Sequence, residues 1–403
     1  MPEAVIVATA RSPIGRAFKG SLVDLRADEM AAQMVRTVMA KVPQLPAASV
    51  EDVLIGCGQP AGEAGYNLAR VVALLSGLPG APGVTVNRYC SSSLQTIRMA
   101  AHAIKAGEGD VFVAGGVEAV SRFGKGMSDG LPDTQNPRFR EATERSGARA
   151  AGGMKPWEPA PGLPDIYIAM GQTAENVREL EGVTRSEMDR FAALSQQRAV
   201  ASQGNGFFER EIAPLELPDG TVVSSDDGPR PGTTVERLAT LQPAFRPDGE
   251  VTAGNSCPLN DGAAAVVVMS DTAAAELGIT PLARIVSSGV SALDPEIMGL
   301  GPVEASRQAL ARAGLGIDDV DLVEINEAFA AQVVPSARHL GIEWDKLNVH
   351  GGAIALGHPF GMTGARIMAT LINGLQVEDK TIGLETMCVG GGQGMAMVVE
   401  RLS

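Results

Sequence analysis

The sequence predicts an α/β protein made of two similar halves, each with a mostly parallel sheet. Three observations carry this. Apolar runs of strand length alternate with segments whose apolar residues recur at helical spacing, which is the pattern of βα units. The alternation occurs twice, in residues 1–120 and again in residues 280–403, so the chain holds an internal repeat. Between the two runs a stretch of different character, from about Ser121 to Glu250, is rich in Gly, Pro and charge.

Taken in order, Ala4-Val5-Ile6-Val7-Ala8 reads as a first buried strand. It has no basic leader and is too short for a secretory apolar region. Met30 to Met39 has helical periodicity and is followed by the strand-like Val50 to Gly56. From Cys90 to Lys105, Leu94, Ile97, Ala101 and Ile104 mark one helix face, and Lys105-Ala106-Gly107 supplies a basic last turn and a glycine stop. Asp110 to Gly116 closes the first half as an apolar strand with a glycine turn. In the middle stretch, Gly171 to Leu180 is helical. A second helix begins near Thr184, where Thr184-Arg185-Ser186-Glu187 fits a capping box. Val251 to Asn255 and the apolar run Ala263 to Met269 return to the first half. The second half starts near Thr280 and repeats the order: helix Val303 to Arg312, strand Asp318 to Ile325, helix Met362 to Asn373, strand and glycine turn Thr381 to Gly392.

A chain of 403 residues is long enough for two or three domains with a large core, and 45% hydrophobic against 20% charged residues suits a soluble globular protein. The net charge of -14 argues against broad binding to nucleic acid or anionic membranes, which needs clustered cations. It leaves room for an anionic small molecule. Arg138, Arg140, Arg145, Arg149 and Lys155 outnumber Glu141 and Glu144, and read either as a solvated loop or as a surface facing phosphate. No apolar stretch approaches the roughly 18 residues that span a bilayer. The few cysteines form no disulfide framework, so free thiols in a reducing cytoplasm are expected.

Two cysteines stand where chemistry is possible. Cys90 lies at or just before a helix N-terminus, whose free N–H groups and dipole should lower its pKa from about 8.5. Alone, such a cysteine is more often a packed small residue. Cys388 follows the strand Thr381 to Met387, and the turn Gly390-Gly391-Gly392 exposes its side chain and nearby backbone N–H groups. Cys57, after Leu54-Ile55-Gly56, reads as an ordinary buried strand-end thiol. His358 sits in a loop where Gly351, Gly352 and Gly357 permit close backbone approach and Pro359 stiffens the turn. An imidazole there suits proton transfer near neutral pH. His102 and His339 fall within helices and read as structural, and His350 has no assigned role.

Four segments together resemble the thiolase family over nearly the whole chain: Asn87-Arg88-Tyr89-Cys90-Ser91-Ser92-Ser93, Asn326-Glu327-Ala328-Phe329-Ala330, Gly351 through His358-Pro359, and Cys388-Val389-Gly390-Gly391-Gly392-Gln393-Gly394. The resemblance implies two βαβαβαββ halves in five layers, α-β-α-β-α. Residues 1–120 plus 251–279 would form the first half, 280–403 the second, and 121–250 an inserted loop domain that covers the site and holds coenzyme A. It also implies reversible thiolysis of 3-ketoacyl-CoA through an acylated Cys90, or acetoacetyl-CoA formation in the opposite sense. His358 would take the nucleophile's proton and then donate to an oxyanion. Cys388 would exchange a proton with the α-carbon. One oxyanion hole would combine His358 with a water held by Asn326, and a second the backbone N–H groups of Cys90 and Gly390. Arg230 matches a family arginine near the coenzyme A nucleotide, while Met170, Phe329 and Cys257 match positions along the pantetheine and acyl channel. No metal or bound cofactor is implied; coenzyme A is a substrate. A cytoplasmic homodimer or homotetramer is expected, and a catalytically weak subunit partnered with other fatty-acid oxidation enzymes is the rival from another class.

The chain departs from the family at four positions. Ser93 and Met362 replace smaller residues and would narrow the pocket. Cys257 stands where a serine commonly contacts pantetheine. Ala169 replaces the histidine of short-chain biosynthetic members, which tilts the reading towards a degradative 3-ketoacyl-CoA thiolase.

Overall fold

A computed structural model describes residues 2–153 and 155–403. The first half contributes strands β1 (Ala4–Arg11), β2 (Asp52–Gly56), β3 (Gly83–Val86), β4 (Val111–Ala119) and β5 (Asn260–Ser270). Its helices are α1 (Ala27–Lys41), α2 (Leu68–Leu75) and α3 (Ser92–Ala106). The middle stretch gives α4 (Arg140–Ala150), α5 (Met170–Glu181) and α6 (Arg185–Gly204). The second half holds β6 (Ala283–Ala292), β7 (Leu322–Ile325), β8 (Ile382–Val389) and β9 (Gln393–Arg401), with α7 (Gly301–Ala313), α8 (Ala330–Leu340) and α9 (Thr363–Val377).

The repeat is exact in strand order. In the first half, β1 pairs antiparallel with β5, β5 antiparallel with β4, and β4 and β3 both parallel with β2. In the second, β6 pairs antiparallel with β9, β9 antiparallel with β8, and β8 parallel with β7. An isolated parallel bridge from Val323 to Leu347 stands where the first half has its β2–β3 pair. The two sheets join edge to edge through a short antiparallel contact, Val5 to Arg284 and Ile6 to Ala283.

Alternation along the strands sets the layers. On β5, Ala263, Ala265, Val267 and Met269 face an outer cluster with Met30, Met34 and Val38 of α1 and Val72 of α2. The opposite face, Ala264, Val266 and Val268, meets Leu94 and Ile97 of α3 and Met368 and Leu371 of α9. Met395, Met397 and Val399 of β9 close that central cluster from the other side. Ala396 and Val398 face away, onto α7 and α8 through Ala305, Ala309, Val333 and Ala337. The order is therefore α1/α2, first sheet, α3/α9, second sheet, α7/α8. The starts of α3 and α9, next to the candidate residues Cys90 and His358, lie in the shared central layer.

The middle stretch corrects one expectation. Arg140 to Ala150 is helical, not a loop, and its cations are largely used internally. Arg149 donates to Glu179 at 2.8 Å and to Asn176 at 3.2 Å, and Arg145 donates to the Leu163 carbonyl at 2.9 Å. These bonds pin α4 onto α5 and the 155–165 segment. At α6 the predicted capping box is formed, with Thr184 Oγ1 accepting from Glu187 N and the Glu187 carboxylate accepting from Thr184 N.

Candidate active site

Tyr89–Ser91 forms a single 3-10 turn that leads into α3, so Cys90 precedes the first α-helical residue. Tyr89 holds φ at +42°, a left-handed conformation that turns the chain sharply just ahead of the thiol. The Cys90 side chain is buried, and its pKa is pushed up to about 11. Burial is the largest cause, opposed by backbone N–H groups of Gly390 and of Cys90 itself. This overturns the expected depression at a helix start: removing a thiolate from water outweighs the terminal dipole here. The thiol is therefore protonated near neutral pH. Alkylation of Cys90 by iodoacetamide should be slow at pH 7 and rise about tenfold per pH unit up to pH 9, since the thiolate is the reactive form. Rates that are flat over that range, followed by peptide mass spectrometry, would contradict the upward shift.

Cys388, at the end of β8, is fully buried. Burial raises its pKa well above the ordinary thiol value, and the neighbouring Cys90 and Cys257 raise it further. Cys257 is raised in turn by burial and then by Cys90. Three thiols thus lie within electrostatic reach of one another, with the Gly390 N–H among them. The turn after Cys388 is restricted: Gly392 has φ +75°, and a Cβ there would meet the Leu293 carbonyl oxygen at 2.3 Å. No other residue type fits without moving the loop.

His358 is buried and orients through both ring nitrogens. Nδ1 lies 2.6 Å from Thr363 Oγ1, whose hydroxyl donates to the Pro359 carbonyl at 2.8 Å. Nε2 lies 3.3 Å from Asn326 Nδ2. With the Thr363 proton committed to Pro359, the consistent tautomer carries its proton on Nδ1 and leaves Nε2 as an acceptor. Burial, then the positive charge of Arg366, pushes the imidazole down to about 3, so it is neutral at physiological pH and not poised near neutrality as the sequence suggested. The His358 backbone N–H donates to Asn260 Oδ1 at 3.1 Å. Gly357 has φ +118°, and any Cβ would strike that Asn260 side chain at 2.4 Å, which is why the loop needs glycine here.

Asn326 is fixed by its own backbone: its N–H donates to Thr386 at 3.0 Å and its carbonyl accepts from Gln332 Nε2 at 2.6 Å. Its side-chain Oδ1 is buried with no partner among the described residues. Glu327 braces the same loop, accepting from Ser195 Oγ, Asn348 Nδ2 and the Ile354 N–H at 2.6, 2.8 and 3.0 Å.

The structure thus brings the thiols and Gly390 into one group and His358 and Asn326 into another. Glu118 connects the groups and was missed by sequence reasoning. Its buried carboxylate accepts from the Gly58, Gln59 and Gly361 N–H groups at 2.8, 3.1 and 2.9 Å, so it ties the His358 loop to the first half. Burial pushes it up to about 7, and its charge contributes to raising Cys90. A carboxylate following Gly115-Gly116 inside an otherwise apolar strand was the available signal. Thr363 and Asn260 were also missed, being recognisable only once the loops meet.

Met170 and Phe329 share a wall. Phe329 packs edge-on against Phe245 at 5.9 Å, and a Cβ on Gly171 would lie 2.1 Å from the same Phe245 ring. The strand-like contact of Ser256 with Phe329 and the Cys257 N–H bond to Ala328 at 3.0 Å place Cys257 beside this wall. Arg230 stands apart from the thiols, in a cleft of about 150 Å³ lined also by Arg16, Gln196, Ala253, Gly254 and Pro258. Burial and then the charge of Arg16 lower the Arg230 pKa, so two guanidinium groups face one space. Arg16 gave no signal in the sequence. Ser93 and Met362 do not narrow the pocket in the expected way. Ser93 Oγ accepts from the Ala365 N–H at 2.9 Å, locking α3 to α9, and Met362 is buried in the central cluster against Gly262. His102 is exposed on α3, and His350 is stacked on Phe207 at 3.5 Å. Among the described residues no group of His, Cys, Asp and Glu is arranged to hold a metal, and no helix is long and apolar enough to cross a membrane.

A family model described as the thiolase N-terminal domain matches residues 4–272, and one described as the thiolase C-terminal domain matches residues 279–401. The chain is similar to the 3-ketoacyl-CoA thiolases of Shewanella frigidimarina and Salmonella typhimurium, each 44% identical over 411 residues and covering 100% of both chains. Among solved structures it resembles the acetyl-CoA acetyltransferase of Bacillus anthracis, with TM-score 0.85, 38% identity and 100% and 99% of the two chains covered. It also resembles the dimeric peroxisomal thiolase of Saccharomyces cerevisiae, with TM-score 0.89, 35% identity and coverage of 100% and 98%.

Proposed function

The chain belongs to the thiolase family, and from that premise we propose that it is a 3-ketoacyl-CoA thiolase working through Cys90, Cys388, His358 and Asn326. The observation that carries the assignment is the convergence of two buried thiols with the Gly390 and Cys90 N–H groups aimed at the nucleophilic sulfur. In thiolysis, the Cys90 sulfur attacks the 3-keto carbon as neutral His358 takes the thiol proton at Nε2. The bond between C2 and C3 breaks, leaving the acyl group on Cys90 and an enolate of acetyl-CoA. Cys388 gives its proton to C2. Free coenzyme A then attacks the acyl-Cys90 thioester as its thiol proton passes to the Cys388 thiolate; the bond from the acyl carbon to the Cys90 sulfur breaks, the proton held on His358 returns to that sulfur, and the shortened acyl-CoA leaves.

The residues supply two places for negative charge. The Gly390 and Cys90 N–H groups serve the oxygen of the acyl-transfer steps. His358 serves the enolate oxygen together with a water on the unpartnered Asn326 Oδ1. One preorganised donor of this kind contributes about a hundredfold or more in rate. The raised thiol pKa values fit the scheme. A protonated Cys388 is the acid that thiolysis requires, and Cys90 avoids carrying a charge until attack.

Coenzyme A is a substrate in this reading. Arg230 and Arg16 face its phosphates, and Met170, Phe329 and Cys257 line its pantetheine and acyl path towards the thiols. Residues 1–120 with 251–279 and residues 280–403 act as the two catalytic halves, with 121–250 as the loop domain over them. A cytoplasmic homodimer or homotetramer is the working assembly, and a β-oxidation partner enzyme is compatible with it. The test is CoA-dependent cleavage of 3-ketoacyl-CoA substrates of graded chain length, followed by acetyl-CoA release. No cleavage at any length would overturn the assignment.

The same assay fixes chain length. Ala169 is exposed at the start of α5 and leaves the channel wall without the bulk of a histidine, while Ser93 and Met362 are turned to packing. Each further buried methylene is worth about 0.8 kcal/mol. Six- and eight-carbon substrates should therefore match or exceed acetoacetyl-CoA in kcat/KM. Activity confined to acetoacetyl-CoA would place the chain with the acetoacetyl-CoA-forming enzymes instead.

A further inference from the structure

We propose that a cleft between α3 and β6, separate from the catalytic thiols and from the Arg16–Arg230 cleft, binds a small phosphate-bearing anion. The cleft has a volume of about 370 Å³ and is lined by Arg98, His102 and Lys105 of α3, Ser288 of β6 and Arg312 of α7, with no carboxylate in its wall. Arg98, His102 and Lys105 fall at helical spacing on one face of α3. Arg312 reaches in from the last turn of α7. These side chains spend their hydrogen bonds on neutral acceptors. Arg98 Nε donates to Ser288 Oγ at 3.1 Å, Arg312 Nη1 to the Ser288 carbonyl at 2.5 Å, and Lys105 Nζ lies 3.4 Å from the Ile285 carbonyl.

Other arginines, Arg70 and Arg198 among them, also bond only neutral acceptors, but here two arginines and a lysine line one cleft of ligand size. The chain has 47 acidic residues against 33 basic ones, so carboxylates are plentiful. Some arginines use them: Arg284, on the same strand, pairs with Glu3 and Glu400, and buried Arg11 pairs with Glu211 and Asp226. In the cleft the cations instead act on one another. After burial, Arg88 and Arg312 lower the proton affinity of Arg98, while Arg98, Lys105 and Arg312 lower that of His102. Like charges held together in a space of ligand size are relieved by an anion. Two guanidinium forks and an ammonium on two helices match several oxygens of a multiply charged group. A single carboxylate would leave most of them unmatched, so the ligand class is phosphate or diphosphate.

Inorganic pyrophosphate is the probe, titrated calorimetrically into the full chain at constant ionic strength, with light scattering on the same samples. The wild type should bind saturably. Arg98→Gln combined with Arg312→Gln should weaken binding at least tenfold, and the single Arg312→Gln change, at an exposed helix end, should weaken it partially without risk to the fold. Arg16→Gln combined with Arg230→Gln should leave this binding in place, and thiolysis by the Arg98/Arg312 variant should persist as proof of folding. The proposal fails if pyrophosphate affinity is unchanged in the Arg98/Arg312 variant, or is lost only in the Arg16/Arg230 variant. It also fails if the Arg98/Arg312 variant falls in mass by light scattering, because the cations would then face acidic side chains of a second copy of the chain.

Discussion

Cys90→Ala is expected to abolish acyl-enzyme formation and to lower turnover by about 10⁴-fold or more, the scale seen when a covalent nucleophile is removed. Incubation of the wild type with acetyl-CoA, followed by intact-mass measurement, should show one acetyl adduct on Cys90 and none in the variant. The geometry makes the prediction sharp, because two other thiols, Cys257 and Cys388, lie within electrostatic reach. Only the Cys90 sulfur has both its own N–H and that of Gly390 directed at it. An oxygen on a carbonyl bonded to that sulfur can accept from both donors, so the tetrahedral adduct at Cys90 is stabilised. An adduct that persists in Cys90→Ala and maps to Cys257 or Cys388 would falsify the assignment of the nucleophile. The change should cost little stability, since a sulfur is removed beside a loop already held by Arg88, Ser92 and the Tyr89 carbonyl.

Much of this site is legible in the sequence, and for a physical reason. Cys90, Asn326, His358, Cys388 and Gly390 sit in short segments dense in glycine and polar residues, set against apolar strands and helices. Such segments are costly to bury without a task, and they stand out. The strand and helix order is legible for the same reason, since its periodicity is local. What escaped depends on tertiary neighbours. A helix start alone would lower the Cys90 pKa; burial between the two halves raises it, and no local pattern reports burial of that kind. The same holds for His358, whose neutrality follows from enclosure and from Arg366. Helix α4 escaped because Arg140-Glu141-Ala142-Thr143-Glu144-Arg145 has almost no apolar residues to mark a face, and Arg149 ties it to α5 through an ion pair to Glu179 and a hydrogen bond to Asn176. Ser93 misled in the opposite way. Its bulk was assigned to the pocket, yet its hydroxyl serves the contact between α3 and α9.

Cys388→Ser is expected to separate the two halves of the reaction. The acetyl-Cys90 adduct should still form, because the nucleophile, His358 and the two N–H donors are untouched. Cleavage and condensation should fall by about 10²- to 10⁴-fold, the usual contribution of a positioned acid or base. The serine hydroxyl is nearly isosteric, so the pocket keeps its shape, and its proton is far less available than that of a thiol. In the wild type even that thiol is held protonated, chiefly by burial and then by the thiols beside it. It can release a proton to C2 because the enolate carbon is more basic than a thiolate, and in the reverse direction it can remove one only while the enolate oxygen is held. The test measures both quantities on one preparation: the stoichiometry of acetyl adduct by intact mass, and the rate of 3-ketoacyl-CoA thiolysis. Near-normal turnover in Cys388→Ser would remove Cys388 from proton transfer at C2. Loss of the adduct as complete as in Cys90→Ala would mean that Cys388 serves acylation instead, and the division of labour between the two thiols would not stand.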